Sequence, residues 1–293
     1  SIDDNERFAH SRTHPRAPLA IKVRCITPEG KHFEGLTGGI GGGAGGIGKA
    51  IADKLAREGA CVFITDINQE RLDQAVATYG KDTGAGALMD VTKSSDIVNA
   101  IQEVGYKFGG VDILVNCAGI AISKSLENTS AEEWDLLQNI LVKGQFVVSK
   151  AVVEILRAQG QGGDIINIAS KNALVSGPNN VGYGTAKAAQ VHMSRLLAAE
   201  LGKDKIRVNV VNPDAVIEGS KIWEGEWAAG RAKAYGISVE ELPAFYAKRT
   251  ILNEIIGVDD IANGVFAFVG GNLSKSTGNI LNVDGGVAAA FVR

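Results

Sequence analysis

Three cysteines, Cys25, Cys61 and Cys117, are all that 293 residues contain. They lack metal-ligand spacing and are too few for a disulfide framework, so no metal is expected and a reducing, cytoplasmic setting is. Charge of one sign is also missing. Lys and Arg number 30 against 33 Asp and Glu, a net charge of -3, and no overall basic field invites nucleic acid. The densest basic stretch, His10 to Arg24, lies ahead of every motif. No apolar run approaches the ~20 residues of a membrane helix. The first residues, Ser1 to Glu6, have no basic region followed by an apolar one, so a secretory signal is not expected. Aromatic residues make up only 6%, whereas glycine is plentiful at 37 residues and gathers at turns and in one cluster.

What is present has a rhythm. Residues 1–34, with Pro15, Pro18 and Pro28, read as an extension or linker remnant holding one possible strand, Ile21 to Ile26. Residues 35–293 read as one domain. Apolar strands are expected at 61–65, 111–115, 164–169, 206–211 and 279–283. Helices are expected around Leu72–Tyr79, along 131–158, and from Tyr183 to Leu201. Such alternation predicts an α/β fold, a doubly wound parallel sheet of Rossmann type with helices on both faces. In such sheets ligands bind beyond the carboxyl ends of the strands, where Asp66, Asn116, Ser170 and Pro213 all fall. The segment from Asp214 to about Ile256 is too long for a plain connection and is expected to be a helical lid over the substrate. The stretch before the glycine cluster, Phe33 to Gly41, is a poor match to a buried first strand.

Two constellations carry chemistry. Gly42-Gly43-Ala44-Gly45-Gly46-Ile47-Gly48 opens a helix with an apolar face of Ile47, Ile51 and Leu55. Glycines there let a pyrophosphate approach free N–H groups at a positive helix end. Asp66 ends the next strand 18 residues past Gly48 and is placed to accept hydrogen bonds from ribose hydroxyls. Its charge would repel a 2′-phosphate, which favours NAD over NADP. The second constellation is Ser170, Tyr183 and Lys187. Tyr183 and Lys187 are four apart and share a helix face, which puts an ammonium beside a phenol. A cation there is expected to lower the phenol pKa toward neutrality, and Ser170 to bond the same substrate oxygen.

These motifs, together with Asp90-Val91, Asn116-Cys117-Ala118-Gly119, Asn212-Pro213 and Val283-Asp284-Gly285-Gly286, resemble the short-chain dehydrogenase/reductase family from about residue 36 onward. The resemblance implies a nicotinamide cofactor, a homodimer or homotetramer with contacts on helices 131–158 and 183–202, and a small-molecule substrate. It implies Tyr183 as general acid/base, Lys187 on the nicotinamide ribose, Ser170 orienting the substrate, and Asp90 near the adenine. Val91, Asn116, Ala118, Gly119 and Pro213 would line the cofactor. Ser170-Lys171-Asn172-Ala173 and Gly219 to Gly225 are also similar to the dehydrogenase half of bifunctional rhamnulose-1-phosphate aldolase/short-chain dehydrogenases, which implies lactaldehyde.

Four positions depart from the family. Gly41 stands for the turn's usual Thr, Cys117 for the second Asn of its motif, Asp214 for the Gly after Pro213, and Leu141 for a water-positioning Asn. Cys117 reads as a small buried residue. Asn139 is one candidate to replace the missing amide. The expected function is NAD-dependent oxidation or reduction of a small hydroxy-aldehyde or alcohol. A sugar-alcohol or sugar-phosphate dehydrogenase is the alternative, with Lys171, Lys221 and Arg249 as candidate anion partners and Trp223 and Trp227 as candidate pocket walls. A non-catalytic NAD-binding scaffold is the third reading.

Overall fold

The computed structural model describes residues 44–220, 226–271 and 273–291, together with three strands that precede them. The first two strands, β1 (Arg24–Ile26) and β2 (His32–Glu34), form an antiparallel hairpin. β3 (Thr37–Gly41), α1 (Gly46–Arg57), β4 (Cys61–Asp66), α2 (Gln69–Val76), β5 (Gly84–Leu88) and α3 (Ser94–Phe108) follow. Next come β6 (Ile113–Asn116), α4 (Ala131–Leu137), a π-helical stretch Gln138–Gly144, α5 (Gln145–Gln159), β7 (Gly163–Ile168), α6 (Val181–Leu201) and β8 (Ile206–Pro213). β9 (Val216–Glu218), α7 (Glu226–Tyr235), α8 (Leu242–Ala247), β10 (Ile256–Gly257), α9 (Val258–Val269) and β11 (Ile280–Val283) complete the described fold.

Seven strands form one parallel sheet in the order β11-β8-β7-β6-β3-β4-β5. Every residue of β4 and of β6 is buried, as a sheet covered on both faces requires. Alternate residues feed two cores. Val62, Ile64, Ile113, Val115 and Ile166 pack with Ile51 and Leu55 of α1 and with Ile261 and Val265 of α9. Phe63, Leu114 and Ile165 face the other way, toward Val104 of α3, Val152 and Leu156 of α5 and Leu201 of α6. The chain leaves β3 toward β4 and β5, then returns to place β6 on the far side of β3. That reversal opens a crevice beyond the carboxyl ends of β3 and β6, the standard ligand position in an open α/β sheet.

The expected α/β Rossmann sheet is therefore the fold observed, with differences in detail. The glycine-rich Thr37–Gly41 segment is a central strand despite its weak β propensity, because β4 and β6 both pair with it. Strand β5, helix α3 and helix α9 are not among the elements expected from the sequence. Gly84-Ala85-Gly86-Ala87-Leu88 is too small in side chain to look like a strand. The 214–256 segment does contain helices, but it also contributes β9 and β10, a short parallel pair. The helix expected across 131–158 is interrupted by the π-helical turn 138–144. Gly144 closes that turn where a β-carbon would lie 2.8 Å from Val91 Cγ2, so the turn and the Val91 loop approach as only glycine allows. Among the described residues no helix is long and apolar enough to cross a membrane.

Ile113 is fully buried at the middle of the sheet. Ile113→Ala is expected to lower stability by about 2–5 kcal/mol, read as a drop in the urea unfolding midpoint with the slope of the transition unchanged.

Candidate active site

The strand ends meet in a cleft of about 710 Å³. Helix α1 points its N-terminus into it. Its N-cap, Gly45, makes no side-chain cap, so the first N–H groups remain free for a ligand. A β-carbon at Gly46 would stand 2.6 Å from the Gly219 carbonyl oxygen, so the residue must be glycine for the β9 turn to close on the helix. Asp66, at the end of β4, is buried. Its Oδ1 accepts the Asn68 N–H at 2.9 Å and the Arg71 guanidinium at 3.1 Å. No hydrogen bond from a described residue reaches its other oxygen. Ile47, Gly48, Asp66, Arg71, Asp90 and Val91 all line this end of the cleft. Thr92 donates to Asp90 Oδ1 through its hydroxyl at 2.7 Å and its N–H at 2.9 Å, which holds the carboxyl below its ordinary range.

Ala118, Gly119 and Pro213 line the cleft further along. Asn116 does not. Its buried amide donates to Asn167 Oδ1 at 2.8 Å and to Ser149 Oγ at 3.1 Å, and Asn167 donates in turn to Ser194 Oγ at 2.8 Å. Asn116 thus ties β6 to β7 and α5 beneath the floor, so its side chain faces away from the cleft that Ala118 and Gly119 line. Gly42 lies outside the described residues.

Ser170, Tyr183 and Lys187 converge on the same cleft. Ser170 follows β7. Its Oγ accepts the Asn172 N–H at 3.2 Å, and its hydroxyl bonds the Tyr183 phenol. Lys187 is buried one turn along α6 from Tyr183, with Nζ 5.7 Å from the phenol ring centroid, and it donates to the Ile168 carbonyl at 3.1 Å. The electrostatics differ from the sequence expectation. Burial pushes the Tyr183 phenol up, the Ser170 hydrogen bond pulls it down, and the nearby Asp214 carboxylate pushes it up again. Lys187 gives one N–H to the Ile168 carbonyl, and burial lowers its own pKa from 10.5 to about 8. Cys117, also lining the cleft, is raised to about 12 by burial, so it carries no thiolate at neutral pH.

Leu141 is fully buried and packs with Leu137 and Ala186 against the Tyr183 ring. Asn139 is exposed and does not take its place. The amide that does reach this turn is Gln190, whose Nε2 donates to the Leu141 carbonyl at 2.7 Å and to Gln145 Oε1 at 2.6 Å. The substrate end holds residues that sequence reasoning missed. Asn172, Asn180, Arg231 of α7 and Tyr246 of α8 line it. Both helices of the expected lid segment therefore border the cleft. Lys171, read as a candidate anion partner or surface charge, is buried and paired with Asp214 at 3.2 Å. The Arg249 guanidinium stacks 5.0 Å from the Tyr246 ring centroid, away from the cleft lining. Lys221, Trp223 and the Trp227 side chain lie outside the described residues.

Comparison with known proteins decides the family. A family model described as enoyl-(acyl carrier protein) reductase matches residues 42–288. This chain belongs to the short-chain dehydrogenase/reductase family. Members are oxidoreductases that work with a nicotinamide dinucleotide. The chain is 39% identical over 280 residues to an uncharacterized oxidoreductase, YuxG, of Bacillus subtilis, covering 94% of this chain and 41% of that protein. The chain thus spans about two fifths of that relative's length. It is 37% identical over 197 residues to a D-threitol dehydrogenase of Mycolicibacterium smegmatis, covering 66% of this chain and 75% of that one. Among solved structures, a variant of actinorhodin polyketide ketoreductase with NADPH superposes with a TM-score of 0.79 at 26% identity, covering 86% of this chain and 97% of that chain. None of these three is named as an aldolase. The free N–H groups of α1 and the open oxygen of Asp66 fit the pyrophosphate and ribose of such a dinucleotide.

Because burial disfavours the Lys187 ammonium, the folded protein binds this proton less tightly than the unfolded chain does. Its destabilising effect is full below about pH 8 and fades as pH rises toward 10.5. Relative to Lys187→Met, the wild type is expected to gain roughly 2 kcal/mol between pH 7 and pH 10, measured by urea unfolding at each pH.

Proposed function

We propose that this protein is an NAD-dependent dehydrogenase of small hydroxylated compounds, a hydroxy-aldehyde such as lactaldehyde or a short sugar alcohol, with Tyr183 as general acid/base. The observation that carries the reading is the meeting of Ser170, Tyr183, Lys187 and Asp66 in one cleft. A bound nicotinamide supplies the hydride acceptor or donor. The protein's part is the proton. Ser170 holds the substrate oxygen beside the phenol, and Tyr183 takes its proton in oxidation or returns one in reduction. An aldehyde is oxidised through its hydrate, which presents the same hydroxyl. Lys187, buried one turn from the phenol, would bind the nicotinamide ribose with the N–H groups that the Ile168 carbonyl leaves. A scaffold that merely bound a dinucleotide would have no use for all three groups at the substrate end.

Asp66 supports NAD over NADP, since its free oxygen suits a ribose 2′-hydroxyl and its charge opposes a 2′-phosphate. The D-threitol dehydrogenase relationship favours the sugar-alcohol reading. A sugar phosphate is less suited, because Lys171 is already paired with Asp214. Homo-oligomer formation is supported by exposed Leu136, Phe146 and Leu196 on the helices where the family makes its subunit contacts. A cytoplasmic location rests on the cysteine content alone.

Tyr183→Phe is expected to cut kcat by about a hundredfold or more while NADH fluorescence titration shows near-normal binding; retention of a tenth of the activity rejects the assigned role. Asp66→Ser frees Arg71 and removes the repulsion, and it is expected to raise kcat/KM for NADP relative to NAD by about ten- to a hundredfold in steady-state assays.

A further inference from the structure

Lys171 and Asp214 form a buried ion pair at the substrate end of the cleft, with their side chains 8% and 10% exposed. Such a pair is costly to desolvate and is weak evidence for stability, so its presence asks for another reason. Lys171 Nζ lies 3.2 Å from Asp214 Oδ2 as its ion-pair partner, and no hydrogen bond from a described residue reaches Oδ1. Asp214 lines the cleft and Lys171 does not, so the lysine holds the carboxylate from behind. The backbone fixes the same placement. Ala215, immediately after Asp214, has φ of +25°, a conformation an alanine adopts only under constraint.

We propose that Asp214, positioned by Lys171, is a specificity residue that accepts a hydrogen bond from a second substrate hydroxyl, on the carbon next to the one oxidised. The substrate class is thus a vicinal diol or an α-hydroxy-carbonyl compound.

The placement follows from the sheet. Ser170 leaves β7 and Asp214 leaves β8, and the two strands are still joined there by the Ala169 N–H to the Val211 carbonyl at 3.0 Å. Neighbouring strands lie about 4.8 Å apart, a span that substituents on adjoining carbons bridge. The charge balance chooses the ligand. A cationic group would add a positive charge to a pair already neutralised by Lys171, and an anionic group would meet the carboxylate first. A neutral hydroxyl fits, and its bond to a carboxylate is charge-assisted. A cleft with such an acceptor penalises a mono-alcohol heavily, because the carboxylate oxygen is then buried without a partner. Asp214 also raises the proton affinity of the phenol, consistent with its lying near the reacting oxygen.

This inference deepens the proposed oxidoreductase reading and rests on it for the identity of the reacting oxygen. The test compares propane-1,2-diol with propan-1-ol and propan-2-ol, by NADH formation and by calorimetric titration of each alcohol into the protein–NAD complex. The wild type is expected to favour the diol by about a hundredfold or more in kcat/KM and to bind it the more tightly. In Lys171→Met/Asp214→Leu, which removes both charges together, the ratio is expected to fall below about ten. Asp214→Asn, of the same size, is expected to lower the ratio in the same sense and decides the matter should the double variant not fold. A wild type that shows no preference for the diol, or variants that keep the wild-type ratio, overturns the inference. Selective diol binding without any oxidation would sink the oxidoreductase reading and leave Asp214's role standing.

Discussion

A lysine ammonium 5% exposed, one helical turn from a phenol and donating to the Ile168 carbonyl, is the constraint around which the site is arranged. Burial of a cation opposes folding unless something holds it. Here the holding group is the last carbonyl of β7, so helix α6, which carries Tyr183, is pinned to the strand that also presents Ser170. The position of one side chain therefore sets the distance between helix and strand, and with it the approach of Tyr183 to Ser170. The amide network of Asn116, Asn167 and Ser194 reinforces the same joint from below. Two faces of packed aliphatic residues give that joint its rigidity, and the sheet reversal at β3 and β6 gives it a crevice to face.

Much of this was legible beforehand. The strands that carry site residues at their ends were readable because parallel strands buried on both faces are runs of Val, Ile and Leu. β4, β6, β7 and β8 are such runs, and Asp66, Ser170 and Pro213 follow from where the runs stop. The helix pair Tyr183 and Lys187 was readable from spacing alone. Strand β5 was not, since glycine and alanine have no β signature and its pairing with β4 alone makes it a strand. The same holds for β3, where tertiary pairing overrides a local preference for turns.

The site's finer points escaped for a different reason. Spacing says which residues share a face but not where a long side chain ends. Lys187 shares a face with Tyr183 as expected, yet its ammonium turns to a carbonyl instead of the phenolic oxygen. Asn116 sits at a strand end as expected, yet its amide turns inward to β7. Lys171 reads as a surface charge in sequence because nothing local marks Asp214, 43 positions later, as its partner. The π-helical turn is likewise invisible in the apolar period of residues 131–158. It becomes intelligible once Gly144 is seen pressed against Val91.

These departures bear on one another. Leu141 is fully buried in the apolar cluster against which Tyr183 packs. That contact removes solvent from one side of the phenol, and burial is the largest influence raising its proton affinity. Asp214 raises it further, and the Ser170 hydrogen bond lowers it. In the free protein the phenol is thus held as an acid well away from ionisation. A group kept in this state suits proton donation to a nascent alkoxide more readily than proton abstraction. Lys187, still a cation at neutral pH and one turn away, keeps N–H groups that the Ile168 carbonyl does not use, so a bound ligand can meet them beside the phenol. Burial against this apolar cluster and the Asp214 charge therefore shift the same quantity in the same direction, and both make the phenol's ionisation depend on what is bound.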